Sequence, residues 1–189
     1  DALEVDIKYY QDGKLTSPID VGVYDVEITY NFSSEVFKTK LVVTPKDLTV
    51  YVDNTSKVYD DADPLFTLDV SESFDSITDF DYSFTRVLGE NIGTYTIDAE
   101  VTNPNYNITV IPGELEITPR PIHVTIDNKV ITYEDSNVAL TYQLSEEAYR
   151  LELGLIITRE TGNAAGTYAI TATTSNPNFE ITVEAGTYT

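Results

Sequence analysis

A repeat of 73 residues constrains this chain more than any single motif. Gly93-Thr94-Tyr95-Thr96-Ile97, Asn103-Pro104-Asn105-Tyr106 and Gly113 return, each offset by 73, as Gly166-Thr167-Tyr168-Ala169-Ile170, Asn176-Pro177-Asn178-Phe179 and Gly186. A looser copy lies upstream, where Gly22-Val23-Tyr24-Asp25-Val26 leads to Leu41-Val42-Val43-Thr44-Pro45. Self-similarity at a fixed period means stacked supersecondary units, and it outranks the one or two domains that 189 residues would suggest by length alone. Three modules are expected: residues 1–45, a short or truncated β module, then repeats at 46–118 and 119–189. Thr44-Pro45 and Thr118-Pro119 mark the joints, where a fixed φ and a missing N–H donor stiffen the chain.

Within each copy the dominant period is two. Leu3, Val5, Ile7 and Tyr9 alternate with polar residues, as do Tyr24, Val26, Ile28 and Tyr30, and again Tyr95, Ile97, Ala99 and Val101, the pattern of strands buried on one face. Gln11-Asp12-Gly13 reads as a turn, and Pro112-Gly113 divides the last strand of the second copy. One helical signal stands out. Ser145 is placed to cap a helix running to Gly154, with Leu144, Ala148 and Leu151 on one face, and a weaker counterpart begins at Ser71 with Phe74 and Ile77. Each long module therefore reads strand, strand, short helix, strand, strand, strand. The expected class is mostly β with a minor α component: tandem small modules, β-grasp-like with one short helix each. An immunoglobulin-like β-sandwich is the alternative if the helix is a loop.

Composition excludes whole classes of partner. Lys and Arg number 11 against 32 Asp and Glu, and the net charge of −21 repels phosphate backbones and anionic lipid surfaces. Hydrophobic residues still make up 41 %, enough to build cores. The absence of Cys removes disulfides, thiolate metal sites and a Cys nucleophile. No apolar run reaches the roughly 18 residues of a membrane span, so no membrane insertion is expected of this segment.

The sequence Gly-Thr-Tyr-x-Ile, then Asn-Tyr before a strand, then Gly-x-Leu-x-Ile-Thr-Pro, resembles the MBG-type repeat of large bacterial surface and adhesin-like proteins. Such repeats open with Tyr-Gly-x-x-x-Pro, whereas this chain has Tyr59-Asp60-Asp61-Ala62-Asp63-Pro64, and near Tyr133 neither Gly nor Pro. The resemblance implies an extracellular stalk or spacer at a bacterial cell surface, a monomeric segment flanked by further domains. The alternative it implies is an adhesin segment that binds host glycan, mucin or matrix protein.

No catalytic residue, metal ligand set or cofactor is expected, ligand-binding residues are left open, and an enzyme is not the reading. His123, the sole histidine, alternates out of phase with Ile122 and Val124 and reads as a surface residue. Two acidic clusters, Asp60, Asp61 and Asp63, and Asp75, Asp79 and Asp81, raise the question of calcium, but neither has the spacing of a calcium loop. Glu134 and Asp135 are the counterparts of the first cluster. Tyr24, Tyr95 and Tyr168 fall at equivalent inward positions and read as core or joint residues. Tyr9, Tyr10, Tyr142 and Tyr149 are the tyrosines expected at the surface. Arg86 and Arg159, also one repeat apart, are expected to pair with nearby carboxylates.

Overall fold

The computed structural model describes residues 5–30, 34–71, 80–132 and 134–189. Its strands, in order, are β1 (Val5–Gln11), β2 (Lys14–Thr16), β3 (Gly22–Tyr30), β4 (Val36–Val43), β5 (Lys46–Val52) and β6 (Thr55–Val58). Next come β7 (Leu68–Val70), β8 (Asp81–Arg86), β9 (Gly93–Thr102), β10 (Tyr106–Ile111) and β11 (Gly113–Thr118). The last copy supplies β12 (Arg120–Ile126), β13 (Tyr142–Leu144), β14 (Leu155–Arg159), β15 (Tyr168–Thr174), β16 (Phe179–Glu184) and β17 (Gly186–Tyr188). The protein is thus β-rich. Among the described residues no helix is long and apolar enough to cross a membrane.

Two compact units are drawn from discontinuous stretches: Asp1–Asp53, Phe66–Thr85 and Ile97–Gly113 in the first, Asn54–Leu65, Arg86–Thr96 and Glu114–Thr189 in the second. In the first unit, β2-β1-β3-β4 form an antiparallel sheet. Its β1–β2 hairpin turns through Asp12 and Gly13, at φ 49° and 75°, the left-handed pair that a two-residue hairpin loop demands. A second sheet has the order β10-β5-β7, with β10 parallel and β7 antiparallel to β5. Leu48, Val50 and Phe80 form its buried core.

The second unit shows what the repeat builds when complete. β12 pairs in parallel with β16 and antiparallel with β13, while β15 lies between β14 and β17, antiparallel to both. The alternating apolar residues of both sheets meet in one core: Ile122, Val124 and Ile126 from β12, Ile170 and Ala172 from β15, with Phe179 and Tyr188. The break expected at Pro112-Gly113 is present. It separates β10, parallel to β5, from β11, parallel to β6.

The helix expected from Ser145 to Gly154 is a correction. Only a single 3-10 turn forms, Glu147–Tyr149. Ser145 does not cap it; its N–H and Oγ bond the carbonyl and N–H of His123, at 2.9 and 3.0 Å, extending the β12–β13 ladder by one residue. Ser71 does the same to Thr49 one repeat earlier, at 2.9 and 3.2 Å. Leu151, expected on the buried face, is 94 % exposed, and Leu153 takes the core position at 0 %. Leu153 and a left-handed Gly154 at φ 54° pull the segment back to β14 before a second helical turn can form. The counterpart helix in the second copy, with Phe74 and Ile77, lies outside the described residues, as do Asp75 and Asp79.

Candidate functional site

The residues that recur in polar contacts gather at the Asn-Pro-Asn turns. In each, the first asparagine organises the turn: the side-chain oxygens of Asn103 and Asn176 accept the N–H of Asn105 and Asn178, at 2.9 and 3.0 Å. That leaves the second asparagine free to reach outward. Asn105 Oδ1 accepts the Val21 N–H at 2.8 Å and its Nδ2 donates to Asp20 at 2.9 Å. One repeat later, Asn178 Oδ1 accepts the Ile92 N–H at 3.0 Å and its Nδ2 donates to Asn91 Oδ1 at 2.9 Å. Their backbone carbonyls accept from Lys46 and Arg120, the first residues of β5 and β12. Asn178 is 7 % exposed, so each of these bonds replaces water that cannot reach it.

The acceptor loop is itself held by a repeated tyrosine. The hydroxyls of Tyr24, Tyr95 and Tyr168 donate to the carbonyls four residues before them, Asp20, Asn91 and Ala164, at 2.7, 2.8 and 2.9 Å. Tyr24 is buried, and Tyr168 packs against the core of the last copy. Close approach explains the glycines beside them: a Cβ on Gly89 or Gly162 would stand 2.1 or 1.9 Å from the ring of Tyr95 or Tyr168.

Around Asn178 the second unit adds a charged and aromatic collar. Arg120 donates from Nε to the Tyr59 carbonyl at 2.9 Å and pairs with Asp61, while its guanidinium lies over the Tyr149 ring, 5.2 Å from the centroid. Tyr149 donates to Asp60 at 2.9 Å, and this bond pushes its phenol above the usual tyrosine pKa. Phe179 packs against both Tyr59 and Tyr149, with ring centroids 5.4 and 5.3 Å apart. Tyr149 is therefore committed to the joint, which corrects its placement as a free surface tyrosine. Tyr9, Tyr10 and Tyr142 are half-buried, and Arg150 covers Tyr142 at 4.3 Å.

The first acidic cluster is divided among cations. Asp61 goes to Arg120 and Asp60 to Tyr149, while Asp63 accepts from Arg86 Nε at 2.5 Å and from Lys57 Nζ at 2.7 Å. Lys57 also reaches Glu90 at 2.6 Å. Hydrogen bonds from Arg86 and Lys57 hold the Asp63 carboxyl below the usual range, and those from Lys57 and Arg86 do the same for Glu90. Burial pulls the Lys57 ammonium down, but its two carboxylate bonds outweigh that and its pKa is raised. Among the described residues, no three His, Asp or Glu side chains converge as a metal site would require.

Arg159 departs from the pairing expected of it. The positions that match Asp63, Glu90 and Lys57 hold Asn137, Asn163 and Ile131, so both carboxylates are gone. Its guanidinium lies instead over Tyr168 and Tyr188, 5.5 and 4.4 Å from the ring centroids, on the wall of a cleft of about 410 Å³. His123 is exposed on β12, with Glu184 3.7 Å away.

Sequence reading used Asn105 and Asn178 only as signposts of the repeat. A signal was available: an asparagine kept at both positions, beside another asparagine that already accounts for the turn, needs a partner elsewhere.

These joints and the doubled strand order define a tandem-repeat β protein whose copies carry matching docking groups. Residues 48–116 and 122–189 each match the MBG domain (YGX type), and the chain belongs to that family. No curated protein matches it. The family's Tyr-Gly signature has a physical trace here. Asp60 and Glu134, which follow Tyr59 and Tyr133 where the signature has glycine, both hold left-handed backbone at φ 67° and 70°.

Proposed function

We propose that this chain is a stalk or spacer segment of a bacterial surface protein, its MBG repeats holding another domain away from the cell. One observation carries the reading: the same asparagine lock occurs at residues 20–21 with 105 and at 91–92 with 178. A device repeated at each joint serves the array, whereas a ligand site or an active site usually singles out one copy. We read no catalytic role, and the exposed His123, with Glu184 as its carboxylate neighbour among the described residues, fits that view. At the level of fold, we read the third copy as closer to a sandwich than to a β-grasp, because its 3-10 turn is too short to cover a sheet.

An adhesin segment for host glycan, mucin or matrix protein is the second reading, and the cleft beside Arg159 favours it. The purified chain, presented to immobilised mucin, matrix proteins and a glycan panel at physiological salt, separates the two. The stalk reading expects no saturable binding with calcium or with chelator. Saturable binding abolished by Arg159→Ala would replace it with the adhesin reading.

A further inference from the structure

The third copy carries the acceptor half of the asparagine lock without an asparagine in it. Ala164 and Ala165 stand where Asp20 and Val21, and Asn91 and Ile92, stand before the glycine of the preceding copies. The loop is built alike, with Tyr168 Oη donating to the Ala164 carbonyl at 2.9 Å. Val21 and Ile92 are half-buried beneath their asparagines, while Ala165 is exposed and, among the described residues, its N–H meets no acceptor. Further parts of the docking surface are present among the described residues. Glu134 repeats the left-handed turn of Asp60, the Asp135 N–H closes onto Thr132 as the Asp61 N–H closes onto Val58, both at 3.0 Å, and Asp135 offers the carboxylate position that binds Arg120 at the occupied joint. All of these residues but Val21 and Asp20 belong to the second unit, and Glu134, Asp135, Ala164 and Ala165 line one cleft.

We propose that this end of the third copy is a docking surface for the Asn-Pro-Asn turn of a further MBG module, with the Ala165 N–H donating to its second asparagine. The occupant is specified by chemistry. It must bring a side-chain amide oxygen to Ala165 and a cation to the carboxylate at 135, the pair that Asn178 and Arg120 supply at the occupied joint. Asn105 and Asn178, the second asparagines of the two turns, are already engaged, so the occupant is another module rather than a rearranged copy of this one. Ala164 has no side-chain acceptor for the asparagine Nδ2, so one of the two bonds of the lock is absent and the contact is weaker than the joint at Asn178. The proposal rests on the array half of the proposed function and not on the absence of a ligand.

The direct test extends the full chain after Thr189 with a second run of residues 117–189, so that Ile117 follows Thr189 as it follows Glu116. Amide exchange at Ala165 should slow at least tenfold, and Asn178→Ala in the appended copy alone should restore the original rate. Unchanged exchange, with the appended Ile170 amide protected and the copy therefore folded, would overturn the proposal. A second variant removes dependence on that folding: Asn91→Ala with Ile92→Ala gives the second copy the loop of the third. If an Ala-Ala loop is a competent partner for the asparagine, the amide at position 92 stays within about tenfold of its former protection. Exchange as fast as that of Ala165 would overturn the proposal, and neither experiment depends on the outcome of the glycan and matrix panel.

Discussion

Asn178→Ala removes the lock while leaving the turn that Asn176 organises. The variant loses the acceptor for the Ile92 N–H at 3.0 Å and the donor to Asn91 at 2.9 Å, from a side chain that is 7 % exposed. Each hydrogen bond contributes about 0.5–1.5 kcal/mol net, and a buried donor left without a partner costs about 1–3 kcal/mol. Ile92 is only half-buried, so water recovers part of that loss. The expected destabilisation is about 1–3 kcal/mol, equivalent to roughly 4–8 °C per kcal/mol for a cooperative unit of 60–100 residues. Urea unfolding followed by tyrosine fluorescence should show a lower midpoint at unchanged slope, and amide exchange should show Ile92 deprotected with Val21 untouched. Asn105→Ala should reverse the pattern of the two amides. An unshifted midpoint with Ile92 still protected would refute the assignment of the lock to this side chain.

Glu134→Gly tests whether the left-handed turn costs the chain stability. A non-glycine residue pays about 1–2 kcal/mol for left-handed backbone, and glycine returns part of the gain as entropy, so the unfolding free energy from urea denaturation should rise by about 0.5–1 kcal/mol. A fall would show that the Glu134 side chain matters more than its backbone. The charged cluster at Lys57 predicts a stability plateau with two edges. Asp63 and Glu90 have depressed folded pKa values, so the unfolded chain binds more protons in acid. Their contribution is present above about pH 4, the unfolded carboxylate range, and is lost as pH falls through the folded values. Lys57 is raised, so its share is complete below about pH 10.5 and is lost as pH climbs through its folded value. Asp63→Asn should flatten the acid edge in unfolding free energies measured between pH 2 and 6. An unaltered slope would show that the cluster is not coupled to folding.

Most of the strand pattern was legible because it depends on local alternation, which the repeat presents twice. Tyr95, Ile97 and Ala99 declared their face, and Pro112-Gly113 declared the break between β10 and β11. The helix was misread because Ser145 has two uses for a hydroxyl. Cap and strand-end partner look alike in sequence, and only the position of His123 decides between them. Arg86 and Arg159 share a register but not a partner. The difference lies at residues 137 and 163, distant in sequence, where asparagines replace the carboxylates that hold Arg86. The lock was hidden for the same reason: Asn178 and Ile92 lie 86 residues apart, and no local pattern joins them.

The most direct measurement compares three amides in the unaltered chain: Val21, Ile92 and Ala165, which hold the same place in successive copies. Hydrogen exchange followed by NMR should find Val21 and Ile92 protected well above Ala165, because Asn105 and Asn178 accept the first two and, among the described residues, nothing accepts the third. Equal rates at all three would contradict the account, since the asparagines would then join nothing.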